Sequence, residues 1–328
     1  MKRKQLETIS YLPKNDLPFW WEKAVQSSEL LRLQEVGMNC GLEYTSFPLF
    51  KGIDSYSRYI HSVGVGEIVW RFTHDPKQAL AGLYHDIASP CFAHVIDFLH
   101  GDYESQESTE IGTSEIIAKS KDIQDLLGFL NLKSEDVNDY HKYPIADNDS
   151  PRLSADRLEY TLSNALNLLR LSHEEVQRIY DSIVVLPDGE LGFVELEPAK
   201  CFGHVALSLG RIYCCDEDRY SMETLARLIK KAIQLSVLRE SDLYQEEPKV
   251  IAKLVSSPFK EEWLSYTEME ELDKSPLAKE GYLRIPAKKR YIDPLVGNKR
   301  LSEIDEDFAL EAKGYLSQTF DVYLKSKN

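Results

Sequence analysis

From Ser57 to Phe72, apolar residues recur at Ile60, Val63, Val65, Ile68, Val69 and Phe72, a spacing that predicts an amphipathic helix. His61 falls four residues before Val65 and seven before Ile68, so it shares their inward face. Asp75-Pro76 interrupts the pattern, and Pro76 suits the first position of a following helix. Leu80, Leu83, Tyr84 and Ile87 form the stripe of that second helix, which Pro90 helps to end. Residues 114–130 predict one further helix. After Asp149-Ser150-Pro151, the residues Leu153, Leu158, Leu162, Leu166 and Leu169 predict a strong one, and Ser172 is placed to cap another over 172–180. The pattern changes at 182–197. Ile183-Val184-Val185-Leu186, the turn residues Pro187-Asp188-Gly189, and the run Leu191–Leu196 predict a small β-hairpin. Helical spacing resumes over 199–214 and 221–238. From Glu240 onward charge and proline increase, with Pro248, Pro258, Pro276, Pro286 and Pro294. The expected organisation is an all-α core over residues 1–240, with the hairpin near 183–196, and a helical C-terminal extension or subdomain over 241–328.

Composition narrows the function classes. Hydrophobic residues make up 43% and charged residues 28% of the 328, which is globular and excludes wholesale disorder. Asp and Glu outnumber Lys and Arg by 54 to 39, for a net charge of −15. That balance argues against nucleic acid as a partner, because affinity for a polyphosphate backbone comes from cations. A small phosphorylated ligand remains compatible, since a few local cations outweigh a distant net charge. The five cysteines, Cys40, Cys91, Cys201, Cys214 and Cys215, are odd in number and contain no C-x-x-C, so neither a disulfide framework nor a zinc ribbon is expected. No apolar run approaches the ~18 residues of a membrane span, and Pro13 and Pro18 break an N-terminus without a signal-peptide core. A reducing, cytoplasmic setting without membrane partners is expected.

The chemistry concentrates in four residues. His85 and Asp86 are adjacent where the second helix ends. His61 lies 24 residues upstream, and Asp156 lies 70 residues after Asp86, on the inward face with Leu153 and Tyr160. Neighbours in mid-helix diverge by about 100°, so a His-Asp pair reaches one ion more easily at a helix end. Two imidazoles and two carboxylates suit a divalent ion such as Mn, Fe, Mg, Co, Ni or Zn. Each residue taken singly also has a plain explanation: His61 as a hydrogen-bonded core histidine, Asp86 as a helix-terminal or solvated carboxylate, Asp156 as a favourable first-turn charge.

Four separated motifs carry a resemblance. Arg58-x-x-His61-Ser62-Val63-Gly64-Val65, Leu83-Tyr84-His85-Asp86-Ile87, Phe92-Ala93-His94-Val95-Ile96-Asp97 and Ala155-Asp156-Arg157-Leu158-Glu159-Tyr160 resemble the HD-domain metal-dependent phosphohydrolases, in particular the deoxynucleoside triphosphate triphosphohydrolases. The motifs span about residues 45–170. The resemblance implies an HD-type helical core, a homo-oligomer, and His61, His85, Asp86 and Asp156 as metal ligands. It implies Arg58, Arg157 and Tyr160 as substrate-binding groups, to which Lys142 is added as a further cation. It matches His94 and Asp97 to a His-x-x-Asp pair near the reacting phosphate. The sequence also departs from the family pattern. Ser89 occupies the slot of a catalytic histidine, Gln106-Glu107 stands for a His-Glu pair, and Asn164 stands where an aspartate is common. Serine does not replace imidazole in proton transfer near neutral pH, which leaves His94, then Glu107, as proton-transfer candidates.

The expected activity is hydrolysis of a nucleotide or other small phosphate ester by a metal-activated water. The alternative is a catalytically weak HD protein that binds a nucleotide as a regulatory module. Other residues read as ordinary: Glu159 as part of a solvated charged face, Lys288-Lys289-Arg290 as a short solvated run, Cys214-Cys215 as small apolar residues, and Phe19-Trp20-Trp21 as core or subunit contact.

Overall fold

Ser57 accepts a hydrogen bond from the Ile60 amide and so starts the helix that begins the site. The computed structural model describes residues 3–103 and 112–327. Two short helices, α1 (Trp21–Val25) and α2 (Ser28–Leu31), precede this long α3 (Arg58–Thr73). Asp75 caps α4 (Pro76–Tyr84), with Pro76 at its first position. α5 (Val95–His100) follows a loop in which Phe92 and Ala93 adopt positive φ of 60° and 45°. The single helix expected over 114–130 is two, α6 (Thr113–Lys119) and α7 (Lys121–Phe129). Ser120 breaks it by leaving helical geometry and capping α7 through its side chain, the competition that makes serine a poor helix interior. α8 (Ala155–Asn167) begins at the Ser154 cap. α9 (His173–Asp181) has the expected Ser172 cap, completed by Glu175 as a capping box.

The hairpin forms as β1 (Ile183–Val185) and β2 (Leu191–Phe193), and the run ends early because Leu196 already opens α10 (Leu196–Ile212). α11 (Asp216–Gln234), α12 (Glu247–Val255) and α13 (Lys260–Thr267) follow. The remainder is not simply a helical extension. It alternates β3 (Leu272–Ser275), β4 (Leu283–Arg284), β5 (Leu295–Val296) and β6 (Lys299–Arg300) with α14 (Leu301–Ile304) and α15 (Glu306–Ser317), and ends in β7 (Tyr323–Ser326). β5 adds to β2 in parallel and pairs with β6, giving the order β1-β2-β5-β6; β3, β7 and β4 form a second, antiparallel sheet. Arg300 holds the hairpin through two bonds to Glu190, of 2.6 and 2.8 Å.

Two apolar clusters support these elements. One gathers α3, α4, α8 and α10 and takes in Leu301, Phe308 and Tyr315 from the tail. Trp20 and Trp21 belong to it, whereas Phe19 is exposed. The other joins Phe47, Phe50, Phe92 and Phe98 to α11, α12 and α13. Among the described residues no helix is long and apolar enough to cross a membrane, and all five cysteines are unbridged.

Candidate metal centre

His61 sits one turn into α3, His85 at the end of α4, Asp86 just beyond it, and Asp156 in the first turn of α8. One ligand atom each from His61, His85 and Asp86 lie within 4.8 Å of one another, and all three residues are buried. His61 Nε2 is 3.3 Å from His85 Nε2 and 3.0 Å from Asp156 Oδ1. His85 Nε2 is 3.6 Å from both Asp156 Oδ1 and Asp86 Oδ2. Helix α4 ends in time for the adjacent pair His85-Asp86 to reach one place.

The far side of each imidazole decides what this cluster can hold. His85 Nδ1 donates to the Gly82 carbonyl at 2.7 Å. His61 Nδ1 donates to Glu159 Oε2 at 2.5 Å. With both Nδ1–H groups so engaged, the two Nε2 lone pairs face each other, an arrangement that requires a proton or a cation between them. Two imidazole nitrogens and two carboxylate oxygens form a donor set for a divalent transition metal, and the backing groups are those that orient histidine ligands. The residues present therefore fit such an ion.

Glu159 is not on a solvated face. It is fully buried, because it follows Asp156 by three residues and so shares its side of α8. Its carboxylate also accepts from Tyr11 Oη at 3.1 Å, from Ser163 Oγ at 2.7 Å and from Tyr56 Oη. Burial disfavours a charged His61, but Glu159 and Asp156 outweigh it and lift the imidazole to about 10. Burial opposes ionisation of Asp156, yet the bond from His61 brings its carboxyl down to about 2. Asp86 lies below the usual carboxylate range, since the Arg58 guanidinium and both histidines overcome its burial.

The other candidates divide. Arg58 is buried and paired with Asp86. Ser89 is fully buried and donates to Asp86 Oδ1 at 3.0 Å, so it supports a ligand. His94 Nδ1 meets Asp97 Oδ2 at 3.0 Å, with Asp97 buried. Burial pushes the His94 imidazole down to about 4; Asp97 opposes this, and Arg290 and Arg58 add to it. The Phe92-Ala93 loop that aims His94 is pinned by Leu243 O to the Cys91 amide, 2.6 Å, and by Glu247 Oε1 to the Phe92 amide, 3.1 Å. Arg157 is held by Asn148 at 2.8 Å and by Asp147 at 3.2 Å. Tyr160 lies one turn after Asp156. Lys142 lies outside the cavity lining, its Nζ bonded to Glu135 O at 2.9 Å. Glu107 lies outside the described residues.

A cavity of about 450 Å³ contains His61, His85, Asp86, Asp156, Arg58, His94, Arg157 and Tyr160 in its wall. Lys288, Lys289 and Arg290 also line it and are half-buried, not solvated. Their run of like charge was visible in the sequence; what places it here is tail pairing, β5 on β2, which single letters do not carry.

No family model matches the chain. A Bacillus subtilis (strain 168) relative, the uncharacterized protein YdhJ, is 26% identical over 203 residues, covering 61% of this chain and 62% of that protein. The metal-dependent phosphohydrolase cns2 of Cordyceps militaris is 28% identical over 232 residues, covering 67% of this chain and 64% of that protein. The chain thus matches just under two thirds of the length of these relatives. The fold is shared with solved structures. A phosphohydrolase from Bacteroides thetaiotaomicron superposes with a TM-score of 0.63 at 15% identity, covering 99% of this chain and 100% of that one. A hypothetical protein from Aquifex aeolicus gives 0.60 at 17% identity over 89% of both. The chain is similar to a metal-dependent phosphohydrolase in sequence and to a phosphohydrolase in fold.

Proposed function

We propose that this protein is a metal-dependent phosphohydrolase of the HD type acting on a nucleotide or other small phosphate ester. The observation that carries this reading is the pair of inward-facing Nε2 atoms, 3.3 Å apart, with both Nδ1 groups tied to acceptors and two carboxylates alongside. His61, His85, Asp86 and Asp156 would hold a divalent ion. Such an ion, when bound, supplies a water that is nucleophilic near neutral pH and polarises a phosphoryl oxygen. Glu159 and the Gly82 carbonyl keep both imidazoles in the ligating tautomer. His94, uncharged near neutrality and oriented by Asp97 through Nδ1, lines the cavity and would be the proton-handling group. Arg58, held on Asp86, places positive charge beside the reacting phosphate.

The test joins elemental analysis to a substrate panel. Purified protein should carry about one equivalent of a divalent metal and release phosphate, pyrophosphate or triphosphate from at least one nucleotide with Mn, Mg, Co or Ni. Asp86→Ala should lose metal and turnover together. Wild-type protein without metal affinity or product across the panel would overturn the reading. Ser89 favours a second reading, since it serves Asp86 where the family places an imidazole: a regulatory module that binds nucleotide and metal without turnover.

A further inference from the structure

Asp86 reaches the cluster because the chain turns there. Helix α4 stops at Tyr84, and the turn that follows is closed by the Ile87 amide on Tyr84 O at 3.1 Å and the Ser89 amide on Asp86 O at 2.9 Å. Ile87 and Ser89 are fully buried, so their carbonyls need donors from within the protein. Among the described residues no backbone amide donates to either oxygen.

Arg32 supplies both bonds. Its Nη2 donates to Ile87 O at 3.0 Å and to Ser89 O at 2.8 Å, and its Nη1 donates to Gln245 O at 3.3 Å. Three carbonyls from two distant parts of the chain thus converge on one planar donor fork, an arrangement that an ammonium on a flexible stem does not reproduce. The bond to Ser89 matters most, because the Ser89 hydroxyl is the group that donates to Asp86 Oδ1. Removing the guanidinium would leave two buried carbonyls unpaired, and the turn would shift to satisfy them.

Arg32 is itself well fixed. It opens the 3-10 turn Arg32–Glu35 after α2, beside the fully buried Leu33. Just beyond, Val36 O accepts the Arg58 amide at 2.8 Å, which ties this stretch to the first residue of α3, one turn before His61. Residues 32–36 therefore grip the helix that carries His61 through the backbone and the turn that carries Asp86 through Arg32. Gln245 lies between Leu243 and Glu247, which hold the amides of Cys91 and Phe92, so the tail backs the same loop from the other side.

We infer that Arg32 is a positioning residue of the metal centre: by holding the Ile87 and Ser89 carbonyls it fixes the turn that brings Asp86 to the two imidazoles. The inference rests on the proposed metal-dependent reading, and its test separates the two. Chelator-treated wild type, Arg32→Ala, Arg32→Lys and Val176→Ala are titrated calorimetrically with Mn. Arg32→Ala should weaken Mn binding by roughly tenfold or more. Arg32→Lys, which keeps the charge without the fork, should fall between, and it decides the matter alone should the alanine variant unfold. Val176 is buried on α9, outside the cavity wall, so Val176→Ala should lower Tm and leave Mn affinity unchanged. In the metal-free proteins, amide hydrogen exchange over residues 86–92 should quicken in both Arg32 variants and not in Val176→Ala. Unchanged Mn affinity in folded Arg32 variants, or an equal loss in Val176→Ala, overturns the inference and leaves the metal-dependent reading standing. Absence of Mn binding in wild type overturns that reading, while unchanged exchange over 86–92 in the Arg32 variants overturns the inference whether or not Mn binds.

Discussion

Glu159 shows how much one side chain governs here. Its carboxylate accepts from Tyr11, Tyr56, Ser163 and His61, and the last bond sets the proton on Nδ1 of the ring. Glu159→Gln keeps the shape but loses the charge and replaces one of the two acceptor oxygens by an N–H donor, and with three hydroxyls competing for the oxygen that remains, the N–H falls to His61 Nδ1. His61 then favours a proton on Nε2, the atom that faces the cluster. Mn affinity should fall by about 10- to 100-fold with little change in far-UV circular dichroism, and calorimetric titration of the two proteins checks it. The four central groups were legible in the sequence because each combines a chemically distinctive letter with an apolar stripe or a helix break. Glu159 was not, since a carboxylate beside Arg157 reads as surface until Tyr11 and Tyr56 are known to lie across from it.

Helix α3 meets α8 closely, and Gly64 is the reason. A Cβ there would stand 2.7 Å from Glu159 Cγ and 2.8 Å from the Tyr11 ring. Alanine gains about 1 kcal/mol of intrinsic helix propensity over glycine, but overpacking costs about 1–3 kcal/mol, and Glu159 cannot yield without breaking its hydrogen bonds. Gly64→Ala should therefore lower Tm by a few degrees and weaken Mn binding. A melt with and without the metal measures both; an unchanged Tm with unchanged affinity would contradict this packing. Helix α8 was readable because its stripe of Leu158, Leu162 and Leu166 is buried along its length, whereas α3 is apolar on several faces and α4 was marked by Asp75-Pro76 at its start. β5 and β6, of two residues each, hold no period and exist because β2 offers them partners.

Across the molecule, the carboxylates Glu43 and Glu247 join the N-terminal segment to α12. Glu247 accepts from the Gly37 amide at 2.9 Å, the Phe92 amide at 3.1 Å and Tyr44 Oη at 2.8 Å. Burial, with the charge of Glu247, raises the Glu43 carboxyl from 4.5 to about 8. The folded protein thus holds a proton at Glu43 that the unfolded chain releases above pH 4.5. Its contribution is fully present below that pH and is lost as pH rises toward 8, at no more than about 1.4 kcal/mol per unit. Glu43→Gln should flatten this fall, so Tm measured from pH 5 to 8.5 should decline less in the variant than in wild type. Parallel curves would refute the assignment.

The segment Ala287–Tyr291, which closes one side of the cavity, has a consequence during biosynthesis. The His94–Asp97 pair leaves the ribosome about 190 residues ahead of Arg290, roughly 10–40 s at ordinary elongation rates. Through that interval the nascent chain carries a cavity lacking one wall, and for most of it the apolar cluster around Phe92 awaits α12 and α13, which bring Trp263 against its ring. Translation truncated before Glu247, where α12 begins, should yield a species that exposes apolar surface and engages chaperones.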